Sequence, residues 1–153
     1  MDVVELLRKK ETDIVDEATD AVIGSHLRHY ENADPAQTRE RLKTLCDLTV
    51  ECLVMKSTTP MIKYAEKIAQ QRFSSGFSLR EVQTAFNVLE ESIWSQILNE
   101  MQPNEYADAV TLVNTPLRIG KESIARMYFS FVSKRKIRPS DLPAGRARKT
   151  SCE

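Results

Sequence analysis

Apolar residues recur at intervals of three and four along nearly all of the first 132 residues, with polar and charged residues between them. This is the period of an α-helix, because residues three and four apart lie on one helical face. No segment alternates apolar and polar residues as a half-buried strand does. Only four Gly and six Pro occur among 153 residues, too few for the many turns of an all-β fold. The sequence therefore predicts one all-α domain of five or six helices.

Turn and capping residues divide this pattern. Asp34 is suited to cap a helix that begins with Pro35, and Thr59 followed by Pro60 repeats the signal. The predicted helices cover about residues 2–31, 35–55, 60–75, 79–101 and 105–132.

The segment GFSLREV contains the clearest helix start. Gly76 suits the left-handed position that ends a helix, and Ser78 with Glu81 has the spacing of a capping box. Phe77 and Val82 have the spacing of a hydrophobic staple across this cap. We expect a short turn here between two helices.

The helix over 79–101 is the most apolar, so we expect it to lie in the centre of the domain. We expect Glu90 to be on its solvated face. In the last helix, Pro116 and Gly120 predict a kink or a division into two helices near residues 115–120.

Residues that carry chemistry are few. His26 and His29 are spaced for one metal ion, but no third ligand follows at a recognisable spacing. These are the only histidines, and both belong to the first predicted helix, so we expect neither haem nor any other cofactor. Glu90 and Glu91 are adjacent and cannot face each other as an acid/base pair. We expect no catalytic residues and no enzymatic activity.

Two surfaces stay open as binding sites. Phe73, Phe86 and Trp94 either fill the core or line a small-ligand pocket between helices. Arg72 and Arg80 have no structural task that the sequence reveals.

The second surface is the C-terminal segment, residues 134–153, which has seven Lys and Arg against Asp141 and Glu153. We expect a flexible basic tail, which either is simply solvated or contacts an acidic partner through Lys134, Arg135, Lys136 and Arg138. It lacks aromatic residues for base stacking, so nucleic-acid binding is not expected.

Cys46 and Cys52 are too far apart on one helix for a disulfide, and we expect both thiols to be reduced and in the core. Cys152 falls in the tail. No apolar run has the length of a membrane span, and the charged N-terminus lacks the features of a signal peptide. We therefore expect a cytoplasmic protein that does not bind membranes.

The block YAEKIAQQRFSSGFSLREVQTAFNVLEESIWSQIL, residues 64–98, resembles the N-terminal sensor domain of the RsbR/RsbRD stressosome family. The likeness rests on a helix ending in QQRF, a glycine turn, GFSLREV, and a helix that finishes in LEESIW. The remainder of residues 1–133 fits in length and helix order.

This resemblance implies a globin-like helical bundle without haem, and a homodimer with the N-terminal and last long helices at or near the interface. It implies a sensory or regulatory function through protein contacts in stress signalling, and it assigns no functional residues. In the family a STAS domain usually follows, and none follows here, which implies a stand-alone form or a truncated chain. The charged ending RARKTSCE favours the stand-alone form.

Overall fold

The computed structural model of the chain describes residues 1–136, with side chains as far as Lys134. Within these residues there is no strand, and the predicted all-α class is confirmed. A short 3-10 helix, Pro103–Glu105, leads into the last α-helix. The α-helices are α1 (Val3–Lys9), α2 (Glu11–Gly24), α3 (Arg28–Glu31), α4 (Pro35–Met55), α5 (Thr59–Ser74), α6 (Leu79–Glu100) and α7 (Tyr106–Lys136).

The expectation of one continuous helix over residues 2–31 is wrong, because this segment forms α1, α2 and α3. At the end of α2 the Ser25 hydroxyl donates to the carbonyl of Val22, and His26 then adopts a left-handed backbone with φ of 56°. The Ser25 hydroxyl thus donates to the Val22 carbonyl, which would accept a backbone amide if α2 were longer. The turn carries Tyr30, which is 6% exposed, into the core.

The helix starts follow local capping chemistry. Asp34 caps α4 by accepting from the Ala36 amide at 3.0 Å, as predicted. The prediction that Thr59 caps α5 is wrong. Helix α5 already begins at Thr59, whose amide donates to the Ser57 hydroxyl at 3.2 Å. The α6 capping box is confirmed, since the Glu81 amide donates to the Ser78 hydroxyl at 3.1 Å and the Ser78 amide donates to the Glu81 carboxylate at 2.8 Å.

Helix α6 lies at the centre of the packing, between α2 and α7. Helix α7 also packs along α5, and α4 contacts α2, α5 and α7. The fully buried side chains of α6 are Phe86, Leu89, Ile93 and Ile97. The central position that its composition predicts is therefore confirmed.

The expectation that Glu90 lies on the solvated face of its helix is wrong, because Glu90 is only 9% exposed. Its carboxylate lies 3.6 Å from the Lys121 ammonium, which also donates to the Asn87 side chain at 3.0 Å. Burial raises the pKa of Glu90, and the charge of Lys121 opposes this rise. An ion pair between α6 and α7 thus makes the buried position tolerable.

Helix α7 runs without division from Tyr106 to Lys136, so of the two alternatives predicted near residues 115–120 the separation into two helices is wrong, while a kink stays a prediction. Pro116 lies inside the helix and is buried. Packing explains why residue 120 is a glycine, because a Cβ there would lie 2.7 Å from the Phe86 ring and 3.1 Å from Met61. The missing side chain lets α7 approach α5 and α6 closely.

The helix also continues past residue 133, where the body of the domain was expected to end. Lys134 is exposed on its last turn. The side chains of Arg135 and Lys136, the segment 137–153 with Arg138, and Cys152 lie outside the part that is described.

Cys46 and Cys52 are both buried free thiols, as predicted. Burial raises the pKa of Cys46 to about 12, so this thiol stays protonated at neutral pH. Among residues 1–136, no helix combines the length and apolar character that crossing a membrane requires.

The two helical glycines give a matched test of this packing. We expect Gly120→Ala to lower the free energy of unfolding by about 1–3 kcal/mol, because the new methyl group overlaps Phe86 and Met61. Gly24→Ala, at an exposed position with no atom within 4 Å of its Cβ, should be neutral or raise it by up to about 1 kcal/mol. Urea denaturation of the three proteins measures both changes, and equal effects would contradict the close approach of α7.

Candidate functional site

The three aromatic residues of the predicted ligand pocket occupy different places. Phe86 is 1% exposed and lines a small cavity described below, which neither Phe73 nor Trp94 lines. Phe73 packs edge-on against Tyr128 with ring centroids 5.3 Å apart. The Trp94 indole donates to the Asn114 side chain of α7 at 2.8 Å. These contacts are those of core and helix-packing residues.

The turn between α5 and α6 is built around Phe77. Gly76 has φ of 88°, in the left-handed region that favours glycine, as predicted. It directs Phe77 into the domain, where the ring is stacked on His29 at 4.6 Å and meets Tyr30 edge-on at 5.6 Å. Helix α3 is thereby held against the start of α6.

The carboxylate of Glu81 also stabilises the contact between α3 and the start of α6. It accepts the His29 backbone amide at 2.9 Å and the His29 ring at 2.9 Å, in addition to the Ser78 amide of its own capping box. Burial alone would raise the pKa of Glu81, but these hydrogen bonds outweigh it and lower the pKa. The Glu81 carboxylate is therefore ionised at neutral pH, where it accepts these hydrogen bonds.

Two arginines from different helices approach the Phe77 ring. The guanidinium carbon of Arg41 on α4 is 5.7 Å from the ring centroid, and that of Arg72 on α5 is 5.8 Å away. Both side chains are partly buried. Within residues 1–136, neither forms an ion pair shorter than 4.0 Å with a carboxylate. Two positive charges therefore lie beside one aromatic ring, with no carboxylate within 4.0 Å of either in the part of the chain that the structure describes.

The neighbouring tyrosines do not supply this counter-charge. Burial raises the pKa of Tyr30 and of Tyr128 to about 12, and it also raises the pKa of Tyr64. Tyr30 donates to the Glu81 carbonyl and Tyr128 to the Phe77 carbonyl, both at 2.9 Å. The phenols stay neutral, while burial and the charge of Arg72 lower the pKa of Arg41.

Arg41 and Arg72 line a cleft between α4 and α5, which we call the arginine cleft. Its outer part has a volume of about 340 Å³ and is open to solvent. Its inner part is a cavity of about 30 Å³, whose wall includes Phe86 and Thr38. Four residues line both parts: Arg41, Tyr64, Ile68 and Arg72.

Thr38 is the one buried side chain, among those the structure describes, with a polar atom that has no hydrogen-bond partner. Its residue is 1% exposed. The carbonyl four residues earlier, which a helical threonine normally uses, belongs to Asp34 and already accepts the amides of Gln37 and Thr38. The Thr38 hydroxyl, which lies in the wall of the inner cavity, is thus available for a hydrogen bond there.

A second surface, which we call the apolar groove, lies between α1, the end of α4 and α7. Two adjoining depressions of about 470 and 530 Å³ share Leu53, Lys56 and Leu112. Leu112, which lines both depressions, is 51% exposed. Polar residues surround this apolar surface, among them Asp2, Asn104, Glu105 and Asp108.

The histidines do not come together as a metal site. His26 is exposed and contacts Glu31 at 3.1 Å, whereas His29 faces Phe77 and Glu81. No group of three or more His, Cys, Asp or Glu side chains suited to a metal ion occurs within the described residues.

Arg41 was absent from the residues that the sequence singled out, whereas Arg72 and Arg80 were singled out for want of a structural task. The structure separates those two: Arg72 lines the cleft, and Arg80 is exposed on the first turn of α6. The one available signal for Arg41 was an arginine one residue before the apolar Leu42, at the edge of a buried face.

Comparison of the chain with protein-family models, with curated proteins and with solved structures finds no match.

The linkage of Glu81 to His29 can be tested by stability. We expect Glu81→Gln to lower the free energy of unfolding at pH 7 by about 1–3 kcal/mol, because it removes charge-assisted hydrogen bonds at a buried site. Glu5→Gln is the control, since Glu5 has the same place in an exposed capping box on α1. It should change stability by less than about 0.5 kcal/mol.

The pH dependence has a defined sign. Because the pKa of Glu81 is lowered in the folded state, its contribution is present above the ordinary value of 4.5 and is lost as the pH falls through the lowered value. The difference between the wild type and Glu81→Gln should therefore shrink in acid. A difference that stays constant from pH 7 to pH 3 would contradict the assignment.

Proposed function

We propose that the chain is a non-enzymatic sensory or regulatory domain of the cytoplasm, which acts through homodimerisation and contacts with a signalling protein. The resemblance of residues 64–98 to stressosome sensor domains supports this proposal from the sequence. From the structure, the apolar groove supports it, and this observation carries the proposal.

The groove has the composition of an association surface. Exposed apolar side chains are common singly, but here Val4, Leu53 and Leu112 line two adjoining depressions with a polar rim. Contiguous apolar surface with such a rim is typical of protein–protein contacts. The groove also involves α1 and α7, the N-terminal and last long helices that the resemblance places at or near a dimer interface.

Regulation would follow from the way these helices are connected. Helix α7 contributes to the groove and also packs against α5 and α6. A second copy bound in the groove would favour one arrangement of α7, and an input elsewhere in the domain that favours another arrangement would change association.

A small-ligand function is the second candidate, and a specific observation favours it. The arginine cleft has two cationic side chains beside the Phe77 ring, and neither has a carboxylate partner within 4.0 Å among residues 1–136. The ligand site would then lie at Arg41 and Arg72, and not among Phe73, Phe86 and Trp94 together.

Association can be tested with two leucines of similar exposure. We expect the wild type to sediment as a dimer at tens of micromolar, and Leu112→Glu to raise the dissociation constant at least about ten-fold by placing a charge in the apolar groove. Leu98→Glu, at a position on α6 that is 58% exposed and does not line the groove, should remain a dimer.

Analytical ultracentrifugation over a range of concentrations measures these constants. A wild type that is strictly monomeric, or a dimer that both variants weaken equally, would contradict the proposal. Circular dichroism of each variant establishes that the helices are intact.

A further inference from the structure

We propose that the arginine cleft is a binding site for a phosphate group, as inorganic phosphate or as the phosphomonoester of a small molecule, with Arg41 and Arg72 as its principal ligands. This site is separate from the apolar groove, and the inference does not depend on dimerisation.

The charge of the cleft points to a doubly charged anion. Arg41, Arg72 and Lys67 line its outer part, and Glu40 is the only acidic residue there among the residues that the structure describes. Arginine stays protonated in proteins, and both guanidinium groups are partly desolvated beside the same ring, so their mutual repulsion is unfavourable in the empty cleft. A dianion relieves this repulsion and balances the excess of two positive charges.

The donors favour phosphate among small anions. A guanidinium group offers parallel N–H donors that match two oxygens of one phosphate, and an ammonium group adds a point charge. The neutral side chains of Gln37 and Gln71 in the outer cleft also carry donors. A volume of about 340 Å³ has room for a phosphomonoester, and its open side would leave the rest of such a ligand in solvent.

The Thr38 hydroxyl is a second, independent observation, because it has no hydrogen-bond partner among the described residues. It is buried in the wall of the inner cavity, which is just large enough for one or two water molecules. This cavity meets the outer cleft at Arg41 and Arg72. A water held there between Thr38 and the bound anion would complete the hydrogen bonds of both.

Titration calorimetry of the full chain at constant ionic strength tests the site with three probes: inorganic phosphate, glycerol 2-phosphate and succinate. We expect saturable binding of at least one phosphate probe, and the tighter of the two identifies the natural form of the ligand. Chloride at the same ionic strength should give no saturable signal. Failure of both phosphate probes to bind, or tighter binding of succinate, would overturn the proposal.

Three arginine variants carry the same change of charge. We expect Arg41→Gln and Arg72→Gln each to weaken phosphate binding about ten-fold or more, and Arg80→Gln, at an exposed position outside the cleft, to leave it unchanged. Thr38→Val should weaken it about two- to ten-fold without destabilising the free protein, because the lost hydroxyl has no partner there. Equal weakening by all three glutamine variants would indicate a general charge effect and overturn the site.

Circular dichroism and thermal unfolding without ligand establish that each variant is folded. If Arg72→Gln is not, Arg72→Lys replaces it, and we expect weaker binding because the forked donors are lost while the charge is kept. Undiminished binding by Arg72→Lys and Arg41→Lys together would contradict a site built from guanidinium groups. Phosphate binding by a protein that sediments as a monomer would refute the proposed dimer and leave this site standing.

Discussion

The insertion of Phe77 into the domain is the contact on which the surrounding structure depends. The left-handed backbone of Gly76 turns the chain so that this ring enters between helices far apart in sequence. His29 and Tyr30 reach it from α3, Arg41 from α4 and Arg72 from α5. The carbonyl of Phe77 is held in turn by Tyr128 of α7. One residue in a four-residue turn thus connects four helices, and the arginine cleft exists because these helices meet there.

The sequence predicted those features that are determined within a few residues. The capping box of Ser78 and Glu81, the left-handed Gly76 and the cap at Asp34 depend on local hydrogen bonds and steric limits, and all three are confirmed. The all-α class follows from the helical period in the same way. A further error arose where a distant contact decides: the sequence indicated an interruption at Gly120, whereas this glycine is needed because the Phe86 ring packs against it.

The candidate site was beyond prediction for the same reason. Arg41 and Arg72 are 31 positions apart, and nothing local indicates that both approach one ring. The burial of Glu90 was not predicted, because its partner, Lys121, belongs to another helix and the sequence does not reveal their contact. Phe86 is buried in the core, and the Trp94 indole is hydrogen-bonded to Asn114 of α7, a partner that the sequence does not reveal. Whether a charged side chain has a partner of opposite charge can be seen only once the tertiary contacts are known.

The hydrogen bond between Trp94 and Asn114 has a practical consequence. Trp94 is the only tryptophan of the chain, it is partly buried, and its indole N–H joins α6 to α7. Indole emission changes in wavelength with the polarity around the ring and with the loss of such a hydrogen bond. The protein therefore carries an intrinsic optical reporter at the junction of its two longest helices, and any rearrangement of α7 relative to α6 can be followed in solution without attaching a dye.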